Sequence, residues 1–180
     1  MKSGSRALGI AESARDDRSV LAGVVVRGDR AVDGVRFSTC TIGGTDVTES
    51  ILTIFRRFDR EDVHVISIAG IALAWYNVVD IDAIHQSTGI PTCSVSFESS
   101  TGLEGDIRRE FGEGHRLEIY QQLPDREKFV VNGEEIFVRS VGLEEDETRE
   151  FLETFTPTGG RPEPLRVARL TAYGAADVFL

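Results

Sequence analysis

Near the start of the chain, three segments of apolar residues predict β-strands. They cover residues 6–12, 19–27 and 31–42. Small and apolar residues alternate in the first segment, and the second is a nearly continuous apolar run. Gly28 and Asp29 form a tight-turn signal between the second and third segments. The pattern therefore predicts an antiparallel meander of three strands.

After the meander, the period of the apolar positions changes to that of a helix. Val47, Ile51, Ile54 and Phe58 recur at helical spacing, and Thr45 is the predicted N-cap. Two short β-branched segments then predict buried parallel strands, at 63–68 and 91–97. The remaining predicted elements are a loop at 70–77, helices at 79–88, 103–111 and 144–155, a hairpin at 129–131 and 136–141, and a last helix from Pro164.

This order of elements predicts an α/β fold in one domain over residues 1–180. A meander followed by β-α-β units gives a mixed sheet with helices on both faces. That is the ribonuclease H-like arrangement. Other α/β sheets fit the same order, so the order alone does not choose between them.

The charge of the chain is strongly acidic, with a formal net charge of −10, and Lys2 and Lys128 are its only lysines. This composition resembles that of proteins from salt-loving archaea. Because binding to a nucleic-acid backbone depends on released counterions, an acidic protein needs a local group of arginines to bind it. Any nucleic-acid site is therefore expected to be such a group.

Cysteine and histidine spacing points away from structural metal sites. Cys40 and Cys93 form no CxxC pair, so both are expected to be reduced, buried thiols. The histidines lack the spacing of zinc ligands. No apolar run approaches the roughly 20 residues of a membrane-spanning helix, and no secretory leader is recognisable. A cytoplasmic protein without a membrane partner is the expectation.

The last helix begins with R-P-E-P-L-R-V-A-R-L at 161–170, which resembles the P-E-P-x-R-x-A helix of the endonuclease V family and its archaeal relative, endonuclease dU. L-G-I-A-E-S at 8–13 resembles the G-I-D-D-G strand of these proteins, and G-G-T-D-V-T-E at 43–49 their strand-to-helix junction. I-A-G-I at 68–71 and W-Y-N-V-V-D-I at 75–81 resemble L-D-G-I and F-N-V-V-D-I. The resemblance covers most of the chain and is strongest to endonuclease dU.

The resemblance implies an endonuclease V-like fold and a metal-dependent nuclease that nicks DNA at deaminated bases such as deoxyuridine, with Mg²⁺ or Mn²⁺ as cofactor. Family members carry an aspartate on the first strand, a glutamate on the first helix and an aspartate at the end of the fourth strand. Glu49 holds the helix position here, but Ala11 and Ala69 occupy the two aspartate positions. A methyl group cannot bind a metal ion, so catalytic competence is in question.

Two neighbouring acids are candidate replacements. Glu12 follows Ala11, although successive strand residues point to opposite faces, so Glu12 would need a β-bulge to reach the same ion. Asp80 stands at a predicted helix start, where capping explains it equally well. The candidate catalytic residues are Glu49, Glu12 and Asp80, and the candidate metal ligands are Glu49 and Glu12.

A second group of residues is a candidate DNA-binding surface. Its members are Arg161, Arg166, Arg169, Trp75, Tyr76 and Asn77. Arginines can hold phosphate with two hydrogen bonds, and an aromatic ring can stack on an extruded base. The ordinary alternatives are arginines paired with acids such as Glu163 and aromatic rings packed in a core.

Three functions remain open on the sequence alone. The first is an active endonuclease dU-like enzyme, and the second is a non-catalytic member that binds nucleic acid or a protein. The third is an unrelated acid–base hydrolase that uses Glu12, Glu49 and Asp80. Convergence of these carboxylates would favour an enzyme, whereas apolar packing of Ala11 and Ala69 would favour binding.

Overall fold

A mixed β-sheet forms the centre of the molecule. The computed structural model describes residues 1–2 and 4–180. The strands are β1 (Arg6–Arg15), β2 (Arg18–Arg27), β3 (Val32–Thr41), β4 (Val63–Ala69), β5 (Asn77–Val78), β6 (Thr92–Ser96), β7 (Glu127–Val131) and β8 (Glu134–Val141). The helices are α1 (Val47–Phe58), α2 (Leu73–Tyr76), α3 (Ile81–Thr88), α4 (Glu104–Phe111), α5 (His115–Gln122), α6 (Glu145–Phe155) and α7 (Glu163–Phe179).

Seven of the strands form one sheet in the order β3-β2-β1-β4-β6-β8-β7. Strands β1, β2 and β3 are the predicted antiparallel meander. Strands β4 and β6 extend it in parallel to β1, and β8 and β7 add an antiparallel hairpin. The predicted mixed α/β sheet is therefore confirmed.

Helices cover both faces of the sheet. Because successive side chains of a strand point to opposite faces, one strand contributes residues to two cores. Leu8 and Ile10 of β1 point to one face and pack in a core with α1 and α3. Ala7 of β1 and Val95 of β6 lie in the opposite core, which contains apolar residues of α6 and α7. The described helices include none that is long and apolar enough to span a membrane.

Both cysteines are free and buried, as predicted, and they lie in different cores. Burial raises the pKa of the Cys93 thiol on β6 to about 12. Burial, with the neighbouring carboxylates Asp46 and Glu12, raises the pKa of the Cys40 thiol on β3 to about 12 as well.

Three local predictions need correction. The N-cap of α1 is Asp46 and not Thr45, and the Asp46 carboxylate accepts hydrogen bonds from Thr41 and Asn77 instead of capping the helix. Residues 70–77, predicted as a plain loop, include the single turn α2 and the start of β5. Helix α5 has no counterpart in the prediction, because its buried side chains, Leu117 and Tyr120, give only a weak helical pattern.

Candidate nucleic-acid interface

Ala11 and Ala69 lie side by side on the two central parallel strands. The parallel register pairs Gly9 with Ser67 and Ile10 with Ile68, so the next residues along β1 and β4 are neighbours. Ala11 is only 1% exposed and packs in one apolar group with Ala69 and with Ala168 of α7. These three residues are called the alanine cluster below.

Helix α7 reaches the alanine cluster because β1 has no side chain at Gly9. A Cβ atom added to Gly9 would lie 2.3 Å from both the carbonyl carbon and the carbonyl oxygen of Pro164. Pro164 lies in the first turn of α7, where the N–H group that proline lacks would have no acceptor within the helix. The close contact between Gly9 and Pro164 therefore sets the position of α7, and of its arginines, against the sheet.

Glu12 points away from the alanine cluster. Its Oε1 accepts a hydrogen bond from the backbone N–H of Ala74 at 3.2 Å, and its Oε2 accepts one from the Ser19 hydroxyl. The pairing of β1 with β2 continues residue by residue from Arg6 to Arg15, so the described β1 has no bulge there that would turn Glu12 round. The alternation that predicted its direction holds.

Glu49 and Asp80 bind partners of their own. Glu49 is exposed on α1 and forms an ion pair with Arg56 at 2.6 Å. Asp80 caps α3 by accepting a hydrogen bond from the backbone N–H of Ala83 at 2.9 Å. Glu12, Glu49 and Asp80 do not form a ligand cluster, since within residues 1–2 and 4–180 no three His, Cys, Asp or Glu side chains are grouped to hold a metal ion.

The side chains of the alanine cluster do not fit a divalent cation. Mg²⁺ is held by oxygen ligands, usually one or two carboxylates with water and phosphate. Ala11, Ala69 and Ala168 present methyl groups that pack against Val24 and Val26. The chemistry of the donor set therefore gives no basis for a cleavage step through a metal ion at this position.

Of the three candidate arginines on and beside α7, two have no acidic partner among the described residues. Arg161 lies 3.9 Å over the ring of Phe97, and burial, with the nearby charge of Arg169, lowers its pKa. Neither Arg161 nor Arg169 forms an ion pair with any described residue. Arg166, in contrast, is neutralised by Glu163 through two hydrogen bonds of 2.7 and 2.6 Å.

The three candidate residues after β4 differ in exposure. Trp75 is 56% exposed, and its ring lies near those of Tyr76 and Phe111. Asn77 is buried; its Oδ1 accepts from the N–H of Val47, and its Nδ2 donates to Thr41 and Asp46. Its amide ties the start of α1 to the end of β3, so Asn77 has a structural role and its side chain is occupied within the fold.

Sequence reasoning missed a second arginine pair. Arg126 lies 4.2 Å over Phe137, and Arg139 lies 5.6 Å over Tyr120. Both line a cavity of about 270 Å³ beside the ends of β4 and β6, and neither is ion-paired within the described part of the chain. Their nearest partners come from distant segments, so no local motif could have identified them.

The sequence profile of a family described as endonuclease dU matches residues 3–176. Among related sequences, a "UPF0215 protein" of Pyrobaculum calidifontis is 34% identical over 175 residues, which cover 94% of this chain and 96% of the relative. A "UPF0215 protein" of Thermococcus gammatolerans is 31% identical over 158 residues, 86% of this chain and 80% of the relative.

Solved structures agree on the fold. A protein of unknown function from Archaeoglobus fulgidus has a TM-score of 0.83 at 25% identity, covering 95% of this chain and 98% of that one. Endonuclease V of Ciona intestinalis, in complex with DNA that contains an inosine, has a TM-score of 0.64 at 10% identity, covering 96% of this chain and 86% of that one. The second likeness concerns the fold alone.

Proposed function

Because this chain belongs to the endonuclease dU family, we propose that it binds DNA containing deaminated bases without cutting it at a metal site. The family and the endonuclease V-like fold suggest a nuclease. At the two positions where the family resemblance expects aspartates, this chain has packed alanines. These residues are compatible with DNA binding, whereas metal-dependent cleavage needs oxygen ligands that they lack.

The observation that carries the proposal is the pair of free guanidinium groups beside the alanine cluster. Arg161 and Arg169 keep uncompensated positive charge in a chain of net charge −10. Maintaining two like charges near each other is unfavourable unless an anion joins them. Arginine can hold a phosphate with two parallel hydrogen bonds, so a DNA backbone is a fitting ligand.

Removal of both cations tests this proposal. A protein with Arg161→Gln and Arg169→Gln is expected to bind a labelled uracil-containing duplex at least tenfold more weakly, because charge-assisted hydrogen bonds contribute about 1.5–3 kcal/mol each. The salt dependence should also weaken, by about 0.9 in the log–log slope for each lost phosphate contact. Fluorescence anisotropy over a KCl series measures both quantities.

Arg149→Gln is the matched control, since Arg149 lies on α6 and is already paired with Glu145. It should leave affinity and salt slope close to those of the unaltered protein. Equal affinity of the double variant and the unaltered protein would remove Arg161 and Arg169 from the interface.

Cleavage is the second candidate function, favoured by family membership and by the exposed Glu49 at the expected helix position. We expect no nicking of a uracil-containing duplex in Mg²⁺ or Mn²⁺ at molar KCl, because two anionic ligands are missing. Nicking that needs the cation and disappears in Glu49→Ala would replace the binding proposal with an enzyme. A gel assay with a supercoiled uracil-containing plasmid detects a single nick.

A further inference from the structure

We propose that Trp75 is a stacking surface for an unpaired nucleobase and that Glu12 positions it. This inference rests on the proposed DNA binding and adds which form of DNA is preferred. Helix α2 follows β4 after residues 70–72, so Trp75 lies at the same edge of the sheet as the alanine cluster. Neither the tryptophan nor the glutamate needs a metal ion for this role.

The backbone around Trp75 is strained. Ala74, Trp75 and Tyr76 have φ values of 43°, 54° and 60°, in the left-handed region that side chains other than glycine rarely adopt. Three such residues in succession are unfavourable and persist only where the surroundings hold them. Strain of this kind concentrates at binding and catalytic sites.

Two hydrogen bonds to Ala74 hold this turn. The Ala74 carbonyl accepts from the N–H of Gly43 at 2.7 Å, and the Ala74 N–H donates to the Glu12 carboxylate at 3.2 Å. Glu12 forms no ion pair with any of the described residues, and its other oxygen accepts from Ser19. The carboxylate is therefore committed to the backbone of the turn, which makes Glu12 a positioning residue.

The turn presents an aromatic group to solvent. The Trp75 ring meets Phe111 at 5.3 Å between centroids, edge to face, and more than half of Trp75 remains exposed. Gly43 leaves room for it, since a Cβ there would lie 2.9 Å from Trp75 Cε3. A ring that served only to fill a core would not be left so exposed.

A cation lies beside these rings. Arg116 stacks 3.6 Å over Phe111 and donates hydrogen bonds to the carbonyls of Gly43 and Gly44. Its Nε is buried without a hydrogen-bond partner among the described residues. Exposed aromatic rings next to arginine are the combination that binds single-stranded nucleic acid, because every base has a π-face and every phosphate a charge. Bases inside a duplex are already stacked, so an unpaired or extruded base is the favoured ligand.

The test uses the fact that Trp75 is the chain's single tryptophan. A single-stranded oligonucleotide of deoxyuridines with a visible-wavelength label is titrated into the full chain, and a matched oligonucleotide of the same length carries abasic sites throughout. Anisotropy of the label measures binding, and tryptophan emission measures stacking. We expect quenching that follows the binding curve with the base present and falls by at least half with the abasic strand.

Variants separate stacking from structure. Trp75→Ala should weaken single-strand binding about tenfold, and Trp75→Phe should restore most of the affinity because it keeps a ring. Glu12→Ala should shift the emission of the free protein and weaken binding. Glu12→Gln should stay close to the unaltered protein, because its amide oxygen can still accept from Ala74.

The outcomes distinguish this inference from the proposed function. Binding by anisotropy, with no quenching and no effect of Trp75→Ala, would overturn the stacking role and leave DNA binding in place. Equal quenching by the single strand and a fully paired duplex would overturn the preference for unpaired bases. Absence of any binding would overturn both proposals.

Discussion

A protein carrying Ala11→Asp together with Ala69→Asp is expected to lose about 3–5 kcal/mol of stability when divalent cations are absent, the cost of buried charge without a partner. The two carboxylates would face each other on neighbouring strands beneath α7. Mg²⁺ or Mn²⁺ should restore part of the loss, since a ligand at 100 times its dissociation constant adds about 2.7 kcal/mol. Urea unfolding with EDTA and over a cation series, at constant ionic strength, measures both effects.

The matched control is Ala11→Asn with Ala69→Asn, which adds nearly the same volume without charge. It should be destabilised less and should not respond to the cation. If the aspartate pair were as stable as the unaltered protein in EDTA, the described packing of the alanine cluster would be wrong. If it were unstable but indifferent to both cations, the cluster would not be a vacated metal site.

Gly9→Ala is expected to destabilise the protein by about 3 kcal/mol, the upper part of the usual range for overpacking. The added Cβ would collide with backbone atoms of Pro164, which cannot rotate aside as a side chain can. Helix α7 would have to move away from β1, and the arginines beside the alanine cluster would move with it. We therefore expect DNA affinity to fall as well. Urea unfolding and anisotropy measure the two losses.

Gly174→Ala provides a control in α7, the helix that Gly9 contacts, and its expected effect on stability has the opposite sign. Nothing lies within 4 Å of a Cβ added there, so the substitution should stabilise α7 by about 0.5–1 kcal/mol. Similar losses in the two variants would show that the contact between Gly9 and Pro164 is not what limits the position of α7.

The sheet could be predicted because its signals are local and repeat along the chain. Alternation in β1 predicted that Glu12 and Ala11 point to opposite faces of the sheet, and the continuous apolar run of β2 predicted a strand buried on both faces. The Asn132-Gly133 pair between β7 and β8 is a hairpin signal that depends on two adjacent residues. Capping of α3 by Asp80 is likewise local.

The interface could not be predicted to the same extent, since its contacts join distant segments. The stacking of Arg161 on Phe97 and of Arg126 on Phe137 has no signature in the spacing of these residues. The left-handed turn at Trp75 contradicts the preferences of its own residues and depends on hydrogen bonds from Gly43 and to Glu12. Tertiary contacts override local preference there.

The two buried thiols, Cys40 and Cys93, can be used to measure local unfolding of the chain by chemical labelling. A thiol reagent such as iodoacetamide attacks the thiolate, and a pKa of about 12 leaves almost no thiolate at neutral pH. Alkylation must therefore wait for a segment to separate from its neighbours. Because Cys40 lies on β3 of the meander and Cys93 on the parallel strand β6, their separate labelling rates distinguish loosening of the meander from loosening of the parallel strands.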